Sequence, residues 1–382
     1  MAFQWDRRQI KLGLSGSGMV FGLVLIALKP YLPIAIYHNF ADIDDYRIFE
    51  NRPVRNQSPH VLWEHAQKSM KPPSVETAKL LSDLETTALL AIENGKIAFE
   101  QYSAGGGQDQ ISGSFSMAKS IVSILTGIAL QEGRIKSLSE PISNYLPEWE
   151  ARDEGKIPVR DLLRMTAGLD WNESYMNPFS VTTEAYYGTS LLNTVFKQHR
   201  MTEPGSLFQY QSGTTQLLGL VVSRAVNQNL SEYASSRLWS RIGAEKDALW
   251  SLDHENGMEK AYCCFNATAR DFARIGELVR NRGFWMGAPV VDSAYVSEMT
   301  RPHGIKNAEG IPVDYYGYQW WVLKTAEGEI PYARGILGQY ILVIPFRNRV
   351  IVRLGKATGE RTDHHPAEVR ALAEWGLQEA VQ

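Results

Sequence analysis

Ser116 and Lys119 stand at positions i and i+3 in "SGSFSMAKSIVSILTGIALQEG", residues 112–133, where a run of helical periodicity begins. Residues so spaced share one helix face, so a hydroxyl at the N-terminus and an amine one turn in can meet. A lysine held in an apolar site loses solvation, its pKa falls, and its neutral amine can take the serine proton. That is the chemistry of an activated nucleophile. The bland alternative is equally concrete: Ser116 as a helix N-cap and Lys119 as a surface lysine with its head in water. An SxxK pair alone is too common to decide between them.

The surrounding elements must position the pair. Ala118, Ile121, Val122, Leu125, Ile128 and Ala129 recur at helical spacing and Gly133 supplies a stop, which predicts a buried helix over 117–131. "TALLAIENGKIAFEQYS" holds two β-prone runs around Asn94-Gly95, a strong hairpin signal, and predicts strands over 87–93 and 96–102. "YGYQWWVLK", "YARGI", "GQYILVIP" and "NRVIVRLG" read as further strands, followed by a helix over 367–381. Together they predict an antiparallel sheet of about five strands. Residues 117–300 between these ends read as helices and loops, so the fold class is α+β.

Composition narrows the function. The 382-residue chain is 44% hydrophobic with a formal charge of −3, and it has no basic field of the kind that neutralises a phosphate backbone. Nucleic acid is not an expected partner. Arg7, Arg8 and Lys11 precede the uncharged run Leu12 to Leu28, the pattern of a signal-anchor or signal peptide within residues 1–40. An exported protein, membrane-anchored or periplasmic, is the expectation. Residues 41–80, with Pro53, Pro59, Pro72 and Pro73, read as a linker ending in a helical pattern near 75–84, and residues 81–382 as the folded domain. Cys263 and Cys264 are adjacent and read as buried thiols, not as a vicinal disulfide or metal ligands. Thr268 and Asp271 in "NATARD" form a capping box, and His364-His365 lacks partners spaced for zinc. No metal or cofactor is expected.

The chain also carries "EPGSLFQYQSGTTQLLGLVV", a Pro-Gly turn leading through Tyr210 and Ser212 into a helix. SxxK on a buried helix followed by PGxxFxYxS and LLG resembles the penicillin-recognising serine hydrolases: class C β-lactamases, D-alanyl-D-alanine carboxypeptidases and related esterases. "GRIKSLSEPISNYLPEW", "VRDLLRMTAGLDW" and "NATARDFARIG" resemble connecting segments of that superfamily, and the similarity covers roughly residues 85 to 378. Within it, the chain is most similar to the 6-aminohexanoate-dimer hydrolase group. The resemblance implies a β-lactamase/transpeptidase-like fold, an antiparallel sheet flanked by helices with a helical region inserted between strands. It implies Ser116 as nucleophile, Lys119 as its base and Tyr210 as the group that passes the proton to the leaving group. Asparagine is usual where this chain has Ser212, which puts substrate orientation there in doubt.

A third motif of the superfamily, Lys-Thr-Gly or a histidine equivalent, has no cation here. Gly335 in "YARGILGQY" aligns with its glycine, placing Ala333 at the lysine position. Gly335 is expected to let substrate lie against the strand, with the Ile336 and Ser116 N–H groups as an oxyanion hole. Arg334 alternates away from that face and reads as a solvated strand residue. Glycine followed by isoleucine matches the aminohexanoate group, as does Tyr175 in "WNESYMNP" as a substrate-side tyrosine. The expected function is an acyl-enzyme serine hydrolase acting on a small amide or ester. A carboxypeptidase or β-lactamase, and a non-catalytic membrane-anchored binding protein, are the rivals.

Overall fold

The computed structural model describes residues 29–379 apart from 39 and 104. Six helices matter to the site: α1 (Leu32–His38), α2 (Val75–Asp83), α3 (Met117–Gln131), α4 (Ser212–Val226), α5 (Ala269–Arg280) and α6 (Ala367–Leu377). The main sheet has six strands: β1 (Thr86–Glu93), β2 (Lys96–Tyr102), β3 (Trp321–Lys324), β4 (Glu329–Gly335), β5 (Gln339–Ile344) and β6 (Arg349–Gly355). Their spatial order is β2-β1-β6-β5-β4-β3, with every neighbouring pair antiparallel. The β1–β2 hairpin closes as expected, with Asn94 at φ 51° and Gly95 at φ 76°. One strand more than expected is present because every run near the C-terminus joins the sheet. Of "YGYQWWVLK", only the last four residues are extended, as the edge strand β3.

The sheet is covered on both faces. Val350 and Ile351 are neighbours on β6 and so point to opposite faces. A Cβ on Gly276 of α5 would lie 2.3 Å from Val350, and one on Gly376 of α6 would lie 2.3 Å from Ile344 and 2.7 Å from Ile351. Each glycine lets its helix approach one face. On the site-bearing side, α3 packs against α4 and against β4 and β5. Helix α3 is buried from Met117 to Ala129, and Gly133, at φ 69°, ends it as its sequence predicts.

The region between the sheet's two halves is not wholly helical. Asn51–Val54, Ala248–Ser251, Phe265–Thr268 and Ile111–Gly113 form a second, four-stranded sheet. Its strands are short, and Phe265–Thr268 is buried throughout, so no in-out alternation marks it in the sequence. Within 41–80, the expected linker, Asn51–Val54 pairs with Ala248–Ser251 and α2 packs on α6. The expected signal segment lies mostly outside the described residues. Among the described residues, no helix is long and apolar enough to cross a membrane. Only the first half of the Thr268–Asp271 capping box forms: Thr268 accepts from the Asp271 N–H, but the Asp271 carboxylate takes the Thr268 hydroxyl and the Glu245 and Lys246 N–H groups and leaves the Thr268 N–H aside.

Gly276→Leu tests the close approach of α5. Leucine is the better helix former by about 1 kcal/mol, yet overpacking against Val350 and Ile341 costs about 1–3 kcal/mol, more at this backbone distance. A lower denaturation midpoint at unchanged m-value is the expected result.

Candidate active site

Ser116 sits at the N-terminal end of α3, but its hydroxyl makes no capping hydrogen bond. Ser116 thus holds the N-cap position without its side chain capping the helix. Instead the Lys119 Nζ lies 2.9 Å from Ser116 Oγ. The surface-lysine reading fails, because Lys119 is 1% exposed. Its amine has two further partners, Ser212 Oγ at 3.1 Å and the Tyr262 carbonyl oxygen at 2.8 Å. Burial lowers the Lys119 pKa to about 8, against an opposing pull from the negative charge of Glu173.

Glu173 is the residue that sequence reasoning missed, although its segment was singled out for Tyr175. The Ser212 N–H and hydroxyl both donate to the Glu173 carboxylate at 2.6 Å, and the Tyr175 hydroxyl donates to it too. Buried Gln211 donates to the Leu169 and Trp171 carbonyls, holding the strand of chain that delivers Glu173. A Cβ on Gly213 would strike the Trp171 ring at 2.1 Å, so glycine lets α4 start against that same segment. The signal was present as an acidic residue beside the tyrosine, but its distance in sequence from Ser212 hid the contact. Serine at 212, where asparagine is usual in the resembling superfamily, is thus fixed by a carboxylate behind it.

Tyr210 packs beside the pair. Its ring lies 5.1 Å from Lys119 Nζ and tilts against Trp321 at 5.6 Å. Burial raises the Tyr210 pKa, the Glu173 charge adds to this, and the nearby Ser116 hydroxyl works against it. The phenol is thereby kept protonated. It adjoins the serine and presents its ring, not its hydroxyl, to the lysine, a departure from a phenol bridging the two.

Ser116, Tyr175, Ser212 and Ile336 line one cavity of about 490 Å³, together with Phe115, Tyr186 and Cys263. Gly335 does not line it. A Cβ there would lie 2.2 Å from the Ser114 carbonyl and 3.1 Å from Phe115, so the glycine lets β4 press against the backbone leading into Ser116. Arg334 is not simply solvated: its guanidinium stacks 3.3 Å from the Trp321 ring centre and donates to the His364 carbonyl. Cys263 and Cys264, expected as thiols, are joined as a vicinal disulfide. Cys264 adopts φ 67°, which departs from the extended chain that sends neighbouring side chains to opposite sides. Among the described residues, no cluster of metal-ligating side chains occurs.

A β-lactamase family model matches residues 77–374. The chain belongs to the β-lactamase family. As a member of it, this chain is a serine hydrolase. It is 28% identical over 316 residues to the 6-aminohexanoate-dimer hydrolase of Paenarthrobacter ureafaciens, covering 75% of this chain and 78% of that one. Among solved structures, a Bacillus anthracis protein provisionally assigned as a 6-aminohexanoate-dimer hydrolase superposes with TM-score 0.75 at 23% identity, over 87% of this chain and 91% of that one. A family VIII carboxylesterase does so with TM-score 0.62 at 16% identity, over 81% and 98%. These likenesses establish the β-lactamase/transpeptidase-like fold expected for this family member.

The Glu173 contact makes a signed prediction. In an NMR titration of ¹⁵N-labelled lysine side chains, Lys119 titrates near 8 in the native chain. Glu173→Gln removes the charge that favours the ammonium, so the Lys119 midpoint moves to lower pH. An unchanged or higher midpoint would show that Glu173 does not act on the amine.

Proposed function

We propose that Ser116 is the nucleophile of an amide- or ester-hydrolysing enzyme that works through an acyl-enzyme, with Lys119 as its base and Tyr210 as proton donor to the leaving group. The observation that carries this is the hydrogen-bond bookkeeping at Lys119. The Tyr262 carbonyl can only accept, and the Ser212 hydroxyl has its proton committed to Glu173, so it too can only accept from the amine. A neutral amine has two N–H donors and one lone pair. With both donors spent on those acceptors, the lone pair is left for the one partner able to donate, the Ser116 hydroxyl.

In this scheme Ser116 Oγ attacks the carbonyl carbon while its proton passes to Lys119. The oxyanion is held by the Ser116 and Ile336 N–H groups, a role supported by the placement of both residues on one cavity. The carbon–leaving-group bond breaks as the leaving nitrogen or oxygen takes a proton from Tyr210, whose raised pKa keeps that proton in place until needed. Once the leaving group has gone, a water in its place relays the proton from the Lys119 ammonium to the Tyr210 oxygen. A second water then attacks the acyl carbon as its proton passes to the neutral Lys119, and when the acid is released Lys119 returns that proton to Ser116 Oγ.

We further place the Leu12–Leu28 run in a membrane with the catalytic domain outside the cytoplasm, on the strength of the basic residues that precede it. The amide or ester character of the substrate follows the named activities of the relatives. Tyr175 and Ser212 are the proposed substrate-contacting side chains on the cavity wall.

A fluorophosphonate probe, which phosphonylates activated serines, tests the scheme. Wild type is labelled, and Ser116→Ala and Lys119→Ala lose labelling and turnover by about 10⁴-fold or more. Labelling that persists in Ser116→Ala would remove the proposal. The labelling rate should rise with pH and level off above about 8, as Lys119 loses its proton. Tyr210→Phe should slow amide cleavage more than p-nitrophenyl ester cleavage, by about 10²-fold or more, because an amine cannot leave without a proton.

A further inference from the structure

The cavity holding Ser116 has a wall made by the chain's N-terminal part. Ala35 and Ile36 of α1, with Phe40 and Ala41, line it together with Tyr175, Met176 and Pro178. Among the described residues lining it, none is Lys, Arg, Asp, Glu or His. A substrate group lying inside it finds no counter-ion there, so the moiety that fits is uncharged and largely apolar.

The rim has the same character. Helix α1 buries Leu32 and Ala35 and leaves Ile36 68% and Tyr37 84% exposed, while Ile34 lines a separate pocket beside Lys29 and Glu184. Phe40 is 56%, Met176 73% and Phe179 51% exposed. Ile36, Phe40 and Met176 line the one cavity, so these exposed side chains are grouped at it and are not a scatter of single surface residues. The helix is held in place from below: Lys29 pairs with Glu184 at 3.1 Å, and Leu32 and Ala35 cluster with Tyr187.

What covers this group is indicated by the chain itself. The uncharged run Leu12–Leu28 ends eight positions before Ile36. Eight residues reach at most about 28 Å even when fully extended, and less where they are helical. Whatever phase takes up Leu12–Leu28 therefore lies within that distance of the opening. Tyr37, 84% exposed and nine positions after that run, is of the residue type that favours the boundary between lipid and water.

We infer that the mouth of the Ser116 cavity seats on a lipid surface and receives from it an amphiphilic amide or ester whose uncharged chain fills the cavity. This rests on Ser116 being the nucleophile, as proposed above, and adds the class of substrate and the phase it comes from. Soluble substrates bearing charge at both ends, such as an aminohexanoate oligomer, fit this cavity poorly.

Two fluorophosphonates separate the parts of the inference. The full chain is reconstituted in phosphatidylcholine vesicles and labelled with a hexadecyl fluorophosphonate dissolved in the bilayer, or with a short ethyl fluorophosphonate in the water. Tyr37→Glu/Phe179→Glu changes two exposed rim residues outside the cavity lining. The expected result is labelling by the short probe within about twofold of wild type, and labelling by the bilayer probe slowed about tenfold or more. Equal effects on both probes, or labelling of wild type by the short probe alone, would overturn the lipid-facing mouth while leaving the catalytic reading intact. Absence of labelling by either probe would overturn both. If the rim change instead converts a dimer to a monomer in detergent-free solution and spares the bilayer probe, the group belongs to a second copy and the inference falls.

Discussion

The buried amine of Lys119 is the constraint around which the rest is arranged. An ammonium taken out of water is costly unless partners surround it, and here the three partners come from three separate parts of the chain. Ser116 comes from the same helix, Ser212 from the first turn of α4, and the carbonyl from the turn at Tyr262. Each must arrive within a few tenths of an ångström, because hydrogen bonds weaken steeply with distance and angle. Burial without a full counter-charge leaves the amine near the point of losing its proton. Glu173, acting at one remove through Ser212, keeps the shift from going further.

Glycines then set how closely the scaffold can approach this centre. Gly335 brings the end of β4 against the Ser114 carbonyl, and Gly213 brings the start of α4 against Trp171. Buried Gln319 adds a polar tie: Ser120 of α3 donates to its carbonyl, Thr215 of α4 donates to its side chain, and its amide donates to the Leu162 carbonyl. With φ 62°, Gln319 turns the backbone just before β3. The two site helices and the sheet are therefore joined through one fully bonded polar group inside an apolar core, where an unpaired group would be destabilising.

The site has two unlike sides. Toward α1 and Tyr186 it is apolar and free of charged side chains, while beyond Tyr210 the aromatic stack of Tyr316 and Trp321 ends in the Arg334 guanidinium. A third motif without its lysine thus does not leave that side of the site without a cation, because Arg334, next in sequence to the expected position, reaches over Trp321.

Local patterns determined the elements. Apolar spacing and Gly133 were enough for α3, Asn94-Gly95 for the hairpin, and the Thr268–Asp271 pair for the start of α5, because each depends on neighbours a few residues apart. The family and the grouping of Ser116, Lys119 and Tyr210 were legible from motifs in combination. Tertiary structure alone decided what required distant segments to meet: Glu173 behind Ser212, Arg334 over Trp321, the disulfide closed by the turn at Cys264, and the buried strands of the second sheet. It also decided why Gly335 is glycine, since the atom that excludes a side chain there is a backbone oxygen more than two hundred residues earlier in the chain. A sequence records which groups a chain carries. Only folding sets the desolvation and the acceptor geometry that lower the pKa of an ordinary lysine.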